Sequence, residues 1–255
     1  MEHGKLLNLA TEMGYRLMIS GAEIYRAEDS VSRLLKAYGL ESAEVFAIPN
    51  CLNVSVQSGD SEPLTRIRRI PEHGTSIEML ERYNALCREL CRETPAYDEA
   101  MARMEAVTKS KTTYPVWFQI VAYYVAAAAF CLFFEGDFFD CLISGISGIA
   151  VGVSLMFMSR LGANGFFKTI AASAVSALLT LCLALIWPGI NVDAIIIGAY
   201  MALVPGVAFT TALRDIMAGD LVSGIAKCAE GIFIAVAITV GTGLAMSLMR
   251  VLAGG

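Results

Sequence analysis

The sequence predicts an α+β N-terminal domain of order α-α-β-β-β-α-α, followed by an all-α membrane bundle of five transmembrane helices. Three observations predict it. Charge is unevenly spread: 17% of the 255 residues are charged, below the ~25% of soluble domains, and most of them precede residue 112. From Pro115 onward the chain is almost wholly apolar and small, giving 56% hydrophobic residues overall and a mean hydropathy of +0.60. The first part also changes period, from helical to alternating and back. Residues 1–112 therefore read as a cytoplasmic domain and 113–255 as a transmembrane domain.

Helical spacing runs through Leu6, Leu7, Ala10, Met13, Gly14, Leu17 and Met18. It resumes through Ile24, Ala27, Val31, Leu34, Leu35 and Tyr38, and Gly39 stops it. Residues 44–48, 52–57 and 64–70 alternate as short strands, with a turn near Pro49-Asn50; three such strands suit an antiparallel meander with one face on the helices. Thr75-Ser76-Ile77-Glu78 has the pattern of a capping box, opening a helix whose apolar positions include Met79, Tyr83, Leu86 and Leu90. Pro95 opens a further helix leading toward the membrane.

About 20 apolar residues cross a bilayer as a helix. Five segments qualify: 115–134, 139–158, 166–187, 191–212 and 223–249. With the N-terminal domain in the cytoplasm, the inner flanks hold Lys109, Lys111, Arg160, Lys168, Arg214 and Lys227, and the outer flanks only Arg250. That is a positive-inside pattern, and it places the C-terminus outside. Ser144, Gly148 and Gly152 on one span, and Ala237, Gly241 and Ala245 on another, form small-residue ridges suited to close helix packing.

The fourth span interrupts itself. Pro205 removes a backbone donor and Gly206 loosens the chain. Freed backbone groups in lipid must find protein, water or a ligand, and broken helices often line transport sites. On this reading 204–211 lines a substrate path with Thr210 and Thr211 offering hydroxyls; the alternative is an ordinary proline kink. Asp193 and Glu230 extend the path as carboxylates, Glu230 as a candidate proton carrier. Their plainer readings are a helix cap for Asp193 and an i,i+3 partner of Lys227 for Glu230. Arg214, Asp215, Asp220 and Lys227 form either a cytoplasmic gate of ion pairs or a set of solvated loop charges.

Several functions are disfavoured. The net charge of −5, with no basic block, points away from nucleic acid. The start MEHGKLLNLATEMGYR lacks the pattern of a secretory leader. Seven scattered cysteines, with Cys87 and Cys91 at i,i+4, read as reduced core residues rather than a metal set. His3 and His73 are isolated, and no nucleophile elbow or phosphate loop occurs, so neither enzyme activity nor cofactor nor metal is expected.

Two stretches go beyond composition. SGAEIYRAEDSVSRLLKAYGL, followed by VFAIPNCLNVSV, resembles the N-terminal domain of the threonine/serine exporter (ThrE-like) family. ALVPGVAFTTALRDIMAGDLVSGIAKCAEGIFIAVAITVG resembles the end of that family's first membrane half. Gly21, Glu23, Arg26 and Glu28 match the soluble signature; Pro205, Gly206, Arg214, Asp215, Gly219, Asp220, Gly224 and Glu230 match the membrane one. Stopping after five spans, the chain resembles the larger subunit of the family's split, YjjP-like form. The resemblance implies a subunit of a secondary exporter in the cell membrane, driven by the proton gradient as an antiporter. Its substrates would be small polar carboxylates: threonine and serine, or succinate-like dicarboxylates. It further implies a smaller membrane subunit or a homo-oligomer as partner. The near absence of central Lys or Arg in the spans favours an amino acid over a dicarboxylate, or else a site that uses helix ends and the partner subunit. A non-transporting assembly or regulatory subunit is the alternative from another class.

Overall fold

The computed structural model describes residues 2–40, 42–57, 62–71 and 74–252; His73 lies outside them. The chain divides into two compact units, Met1–Thr112 with Thr210–Lys227, and Thr113–Phe209 with Cys228–Gly255.

In the first unit the order is α1 (His3–Ile19), α2 (Ile24–Ala37), β1 (Ser42–Ile48), β2 (Cys51–Gln57), β3 (Leu64–Arg69), α3 (Ile77–Glu93) and α4 (Tyr97–Lys109). This is the order expected from the change of period. The strands form an antiparallel meander β1-β2-β3, and the two-residue turn Pro49-Asn50 sets Ile48 opposite Cys51. Alternation sends Leu52, Val54 and Val56 inward against α1 and α2, where Leu9, Met13, Val31 and Leu34 are also fully buried. Gly14 marks the tightest contact: a Cβ there would lie 2.6 Å from Leu52 and 2.7 Å from Val31. In β3 the apolar Ile67 lies on the outer face, while Arg68 turns in to stack on Tyr15 and pair with Glu12 at 3.4 Å.

The cap of α3 differs from the expected box by one residue. Ser76, not Thr75, is the N-cap, and its hydroxyl accepts from the Met79 N–H at 3.4 Å. The third helical position is therefore Met79, and Glu78 turns instead to Arg82 at 2.7 Å.

The second unit holds α5 (Val116–Phe133), α6 (Phe138–Arg160), α7 (Gly165–Ile186), α8 (Val192–Tyr200), the first turn of α9 (Gly206–Ala218) and most of α10 (Leu221–Leu252). Among the described residues four helices, α5, α6, α7 and α10, are long and apolar enough to cross a bilayer. The expected span 191–212 is not one helix. α8 has nine residues, or roughly 14 Å of helix, too short to cross ~30 Å of hydrocarbon. The chain then leaves helical geometry over residues 201–205, and α9 starts directly after Pro205.

Both small-residue ridges are packing surfaces. A Cβ on Gly148 would lie 2.7 Å from the Tyr123 carbonyl of α5. Gly241 meets Ser173 and the Ile170 carbonyl of α7 too closely for any side chain. The α5–α6 connection is fixed by a capping box, in which Asp137 and Asp140 each accept the other's backbone N–H.

Candidate functional site

The site in the first unit is built from two tight turns. After α1 the chain reverses at Gly21, whose φ of +95° suits glycine. The Ala22 N–H bonds back to the Leu17 carbonyl and the Gly21 N–H to Met18, a Schellman closure. Glu23 follows at the N-cap of α2, but its side chain does not cap the helix. The same device ends α9: Gly219 has φ +96°, with Asp220 N–H bonded to the Asp215 carbonyl and Gly219 N–H to Ile216. α10 then starts at once, and Gly224 holds it close, since a Cβ there would come 2.8 Å from the Ala212 carbonyl.

These turns bring the two sequence signatures together. Glu23, its side chain only 11% exposed, accepts from Arg214 through Oε1 and pairs with Arg26 Nε through Oε2 at 3.0 Å. The carboxylate is thus shared between a neighbour three residues on and a helix 191 residues away in sequence. Beside it lies a second pair: Asp215 is fully buried, and Lys227 Nζ donates to its Oδ2 at 2.7 Å. The other oxygen, Oδ1, is buried without a donor. Breaking such a pair by removing one partner typically costs 3–5 kcal/mol, about the low end here because Lys227 keeps 21% of its side-chain surface.

Glu28 completes the cluster. Its Oε1 accepts the Ala47 N–H of β1 at 2.6 Å. Burial pushes its carboxyl above the ordinary value; the Ala47 bond opposes this and the charge of Asp220 adds to it. Seven of the charged residues picked from sequence (Glu23, Arg26, Glu28, Arg214, Asp215, Asp220 and Lys227) therefore belong to one neighbourhood.

The other candidates lie on α8, α9 and α10. Glu230 is exposed and forms no ion pair among the described residues; Lys227, three residues before it, is taken by Asp215. Asp193 is exposed, and the cap of α8 is Asn191, whose side chain accepts from Ala194 N–H at 3.1 Å. Thr210 and Thr211 lie in the second turn of α9, and Pro205 and Gly206 at its start.

Within the helical unit the structure adds residues that sequence reasoning missed. The Tyr200 hydroxyl, at the end of α8 before the break, donates to the Ser173 carbonyl and accepts from Thr242, both at 2.8 Å. Asp140, 4% exposed, accepts the Asn191 N–H at 2.9 Å and so fixes the entry to α8. Its signal in the sequence is Asp137-x-x-Asp140, a spacing that suits a helix start. Tyr200 gave none, because an aromatic in an apolar run reads as packing. No group of three or more metal-binding side chains occurs among the described residues.

The profile of a family described as "Putative threonine/serine exporter" (ThrE) matches residues 8–249, and the chain belongs to that family. It is 20% identical over 238 residues to a Mycobacterium tuberculosis protein named "Probable threonine/serine exporter", covering 93% of this chain and 45% of the relative. It is 23% identical over 244 residues to pheromone-regulated membrane protein 10 of Candida albicans (strain WO-1), covering 89% of this chain and 21% of that one. The chain spans less than half the length of these curated relatives. No solved structure matches it. Family membership and four apolar helices make it a multi-pass membrane protein of an exporter family.

Proposed function

We propose that this chain is a subunit of a secondary exporter that moves threonine and serine outward, driven by the proton gradient. The observation that carries the reading is the interrupted helix. α8 stops at Tyr200, the backbone is irregular to Pro205, and α9 begins at Gly206. Irregular backbone at membrane depth is tolerated where it lines a cavity or is buried in protein. In this reading the chain crosses five times, once through the α8–α9 pair, with its N-terminal domain in the cytoplasm and its C-terminus outside. The residues of the path are Pro205, Gly206, Thr210 and Thr211, with Asp193 and Glu230 flanking it, and the ion pairs around Arg214, Asp215, Asp220 and Lys227 form the cytoplasmic gate.

In this reading the chain works with a second membrane component, either a smaller subunit or another copy. The test is efflux of labelled threonine, serine and succinate from cells making this chain, with and without a small five-span membrane protein of the same family. Threonine and serine efflux that collapses with the proton gradient is the expected result. Succinate efflux alone would move the substrate to dicarboxylates. With the proteins present in the membrane, efflux of none of the three would leave the regulatory-subunit reading.

A further inference from the structure

We propose that Asp215 and Lys227 recognise the two charges of the exported amino acid: Asp215 takes its α-ammonium group, and Lys227, displaced from Asp215, takes its α-carboxylate. The inference rests on the exporter reading above and names the groups that choose the substrate class.

The pair has the makings of such a site. Asp215 is fully buried, yet only one of its oxygens is bonded. A buried carboxylate oxygen left without a donor has lost its water and gained nothing in return, so it stays open to a donor that can reach it. Lys227 fills one oxygen with one N–H of an ammonium that carries three. An α-ammonium has the same charge and the same three donors, so Lys227 stands where the substrate's ammonium would bind. Lys227 can leave, being a flexible side chain that is 21% exposed, and its freed charge then faces the substrate's carboxylate.

The surroundings leave this exchange to the pair itself. Arg214, next to Asp215 on α9, is held by Glu23 from the start of α2, and Glu23 also holds Arg26. Asp220, in the turn to α10, faces Glu28 of α2. Lys227 is the cation that meets Asp215 from α10. The exchange swaps one ion pair for two and moves no covalent bond. It also sets specificity: a dicarboxylate matches Lys227 but meets like charge at Asp215, whereas a zwitterion matches both. The position suits a gate, since Asp215 lies on the helix that follows the break and Lys227 on the last apolar helix.

The test uses cells in which the wild-type chain supports threonine efflux. Asp215→Asn should raise the KM for threonine about 50-fold, the loss expected when a charged hydrogen bond to the ligand goes. The variant with both Asp215→Asn and Lys227→Met leaves no unpaired buried charge, so it should reach the membrane as a monodisperse protein and still fail to export threonine. Wild-type KM in that double variant would overturn the proposal, because a merely structural pair is dispensable once both charges are gone. A second measurement needs no variant. The deaminated and the decarboxylated analogues of threonine should each compete with threonine at least about 50-fold more weakly than serine does. Competition by the deaminated analogue as strong as by serine would also overturn it. A wild-type chain that moves no threonine removes the exporter reading, and this inference with it.

Discussion

The two units place polarity in opposite positions. In the first, the sheet-and-helix interior is aliphatic (Leu9, Met13, Leu34 and Leu52 are fully buried), and charge is held in pairs, with Asp215 the one fully buried carboxylate among the described residues. In the second, Ser144, Ser147, Ser173 and Thr180 are fully buried while Phe133 and Phe138 are 77% and 80% exposed. These four hydroxyls bond to carbonyls or each other, as Ser144 does with Ala127 and Ile195, and Ser147 with Thr180. The difference teaches which solvent each unit is built for. Against water the apolar groups must go inside. Against lipid there is no such drive, so small residues and hydroxyls hold the helices while aromatics face outward.

The comparison can be broken most severely where helices touch backbone to backbone. A Cβ on Gly198 would lie 2.8 Å from the Ala127 carbonyl, the Cys131 N–H and the Ser144 hydroxyl. Gly198→Leu should therefore abolish a monodisperse protein in detergent, while Phe157→Leu on the exposed face changes nothing; size-exclusion profiles decide. Next in size is the buried pair: Lys227→Met alone should destabilise by about 3 kcal/mol, and adding Asp215→Asn should recover most of that loss in thermal unfolding. Tyr200→Phe should cost about 1 kcal/mol, through the bonds to Ser173 and Thr242, without disturbing the first unit.

The smallest effect is a pH slope. Glu28's folded carboxyl lies above its unfolded value, so the folded state holds the extra proton between the two. Its contribution to stability is therefore greatest below the ordinary carboxylate range and falls as pH rises through the raised value. Glu28→Gln keeps an acceptor for Ala47 N–H and should flatten that slope in melting curves taken across acidic pH.

Much of this was legible in the sequence, and the exceptions are informative. The order of the first unit followed from Leu, Val and Ile spacing, because each element there buries one face. The break followed from Pro205, which cannot bond back into the turn before it, so α9 starts only at Gly206. What periodicity could not show was partnership across the chain. Glu23 and Arg26 stand three residues apart, a spacing that suggests a local pair, and only folding adds Arg214. Lys227 and Glu230 are spaced to pair along one helix, yet Asp215 is buried and competes more strongly for the lysine. Local spacing ranks neighbours on a helix and is blind to a carboxylate delivered by the next one.

The central claim is that the N-terminal signature and the α9–α10 hairpin act as one site through Glu23 and Arg214. A double-mutant cycle on threonine efflux tests it most directly, using Glu23→Arg, Arg214→Glu and the reversed pair. The account predicts that each single reversal reduces efflux about 10-fold or more and that the reversed pair regains most of it. Strictly additive losses, with the reversed pair worse than either single variant, would contradict it.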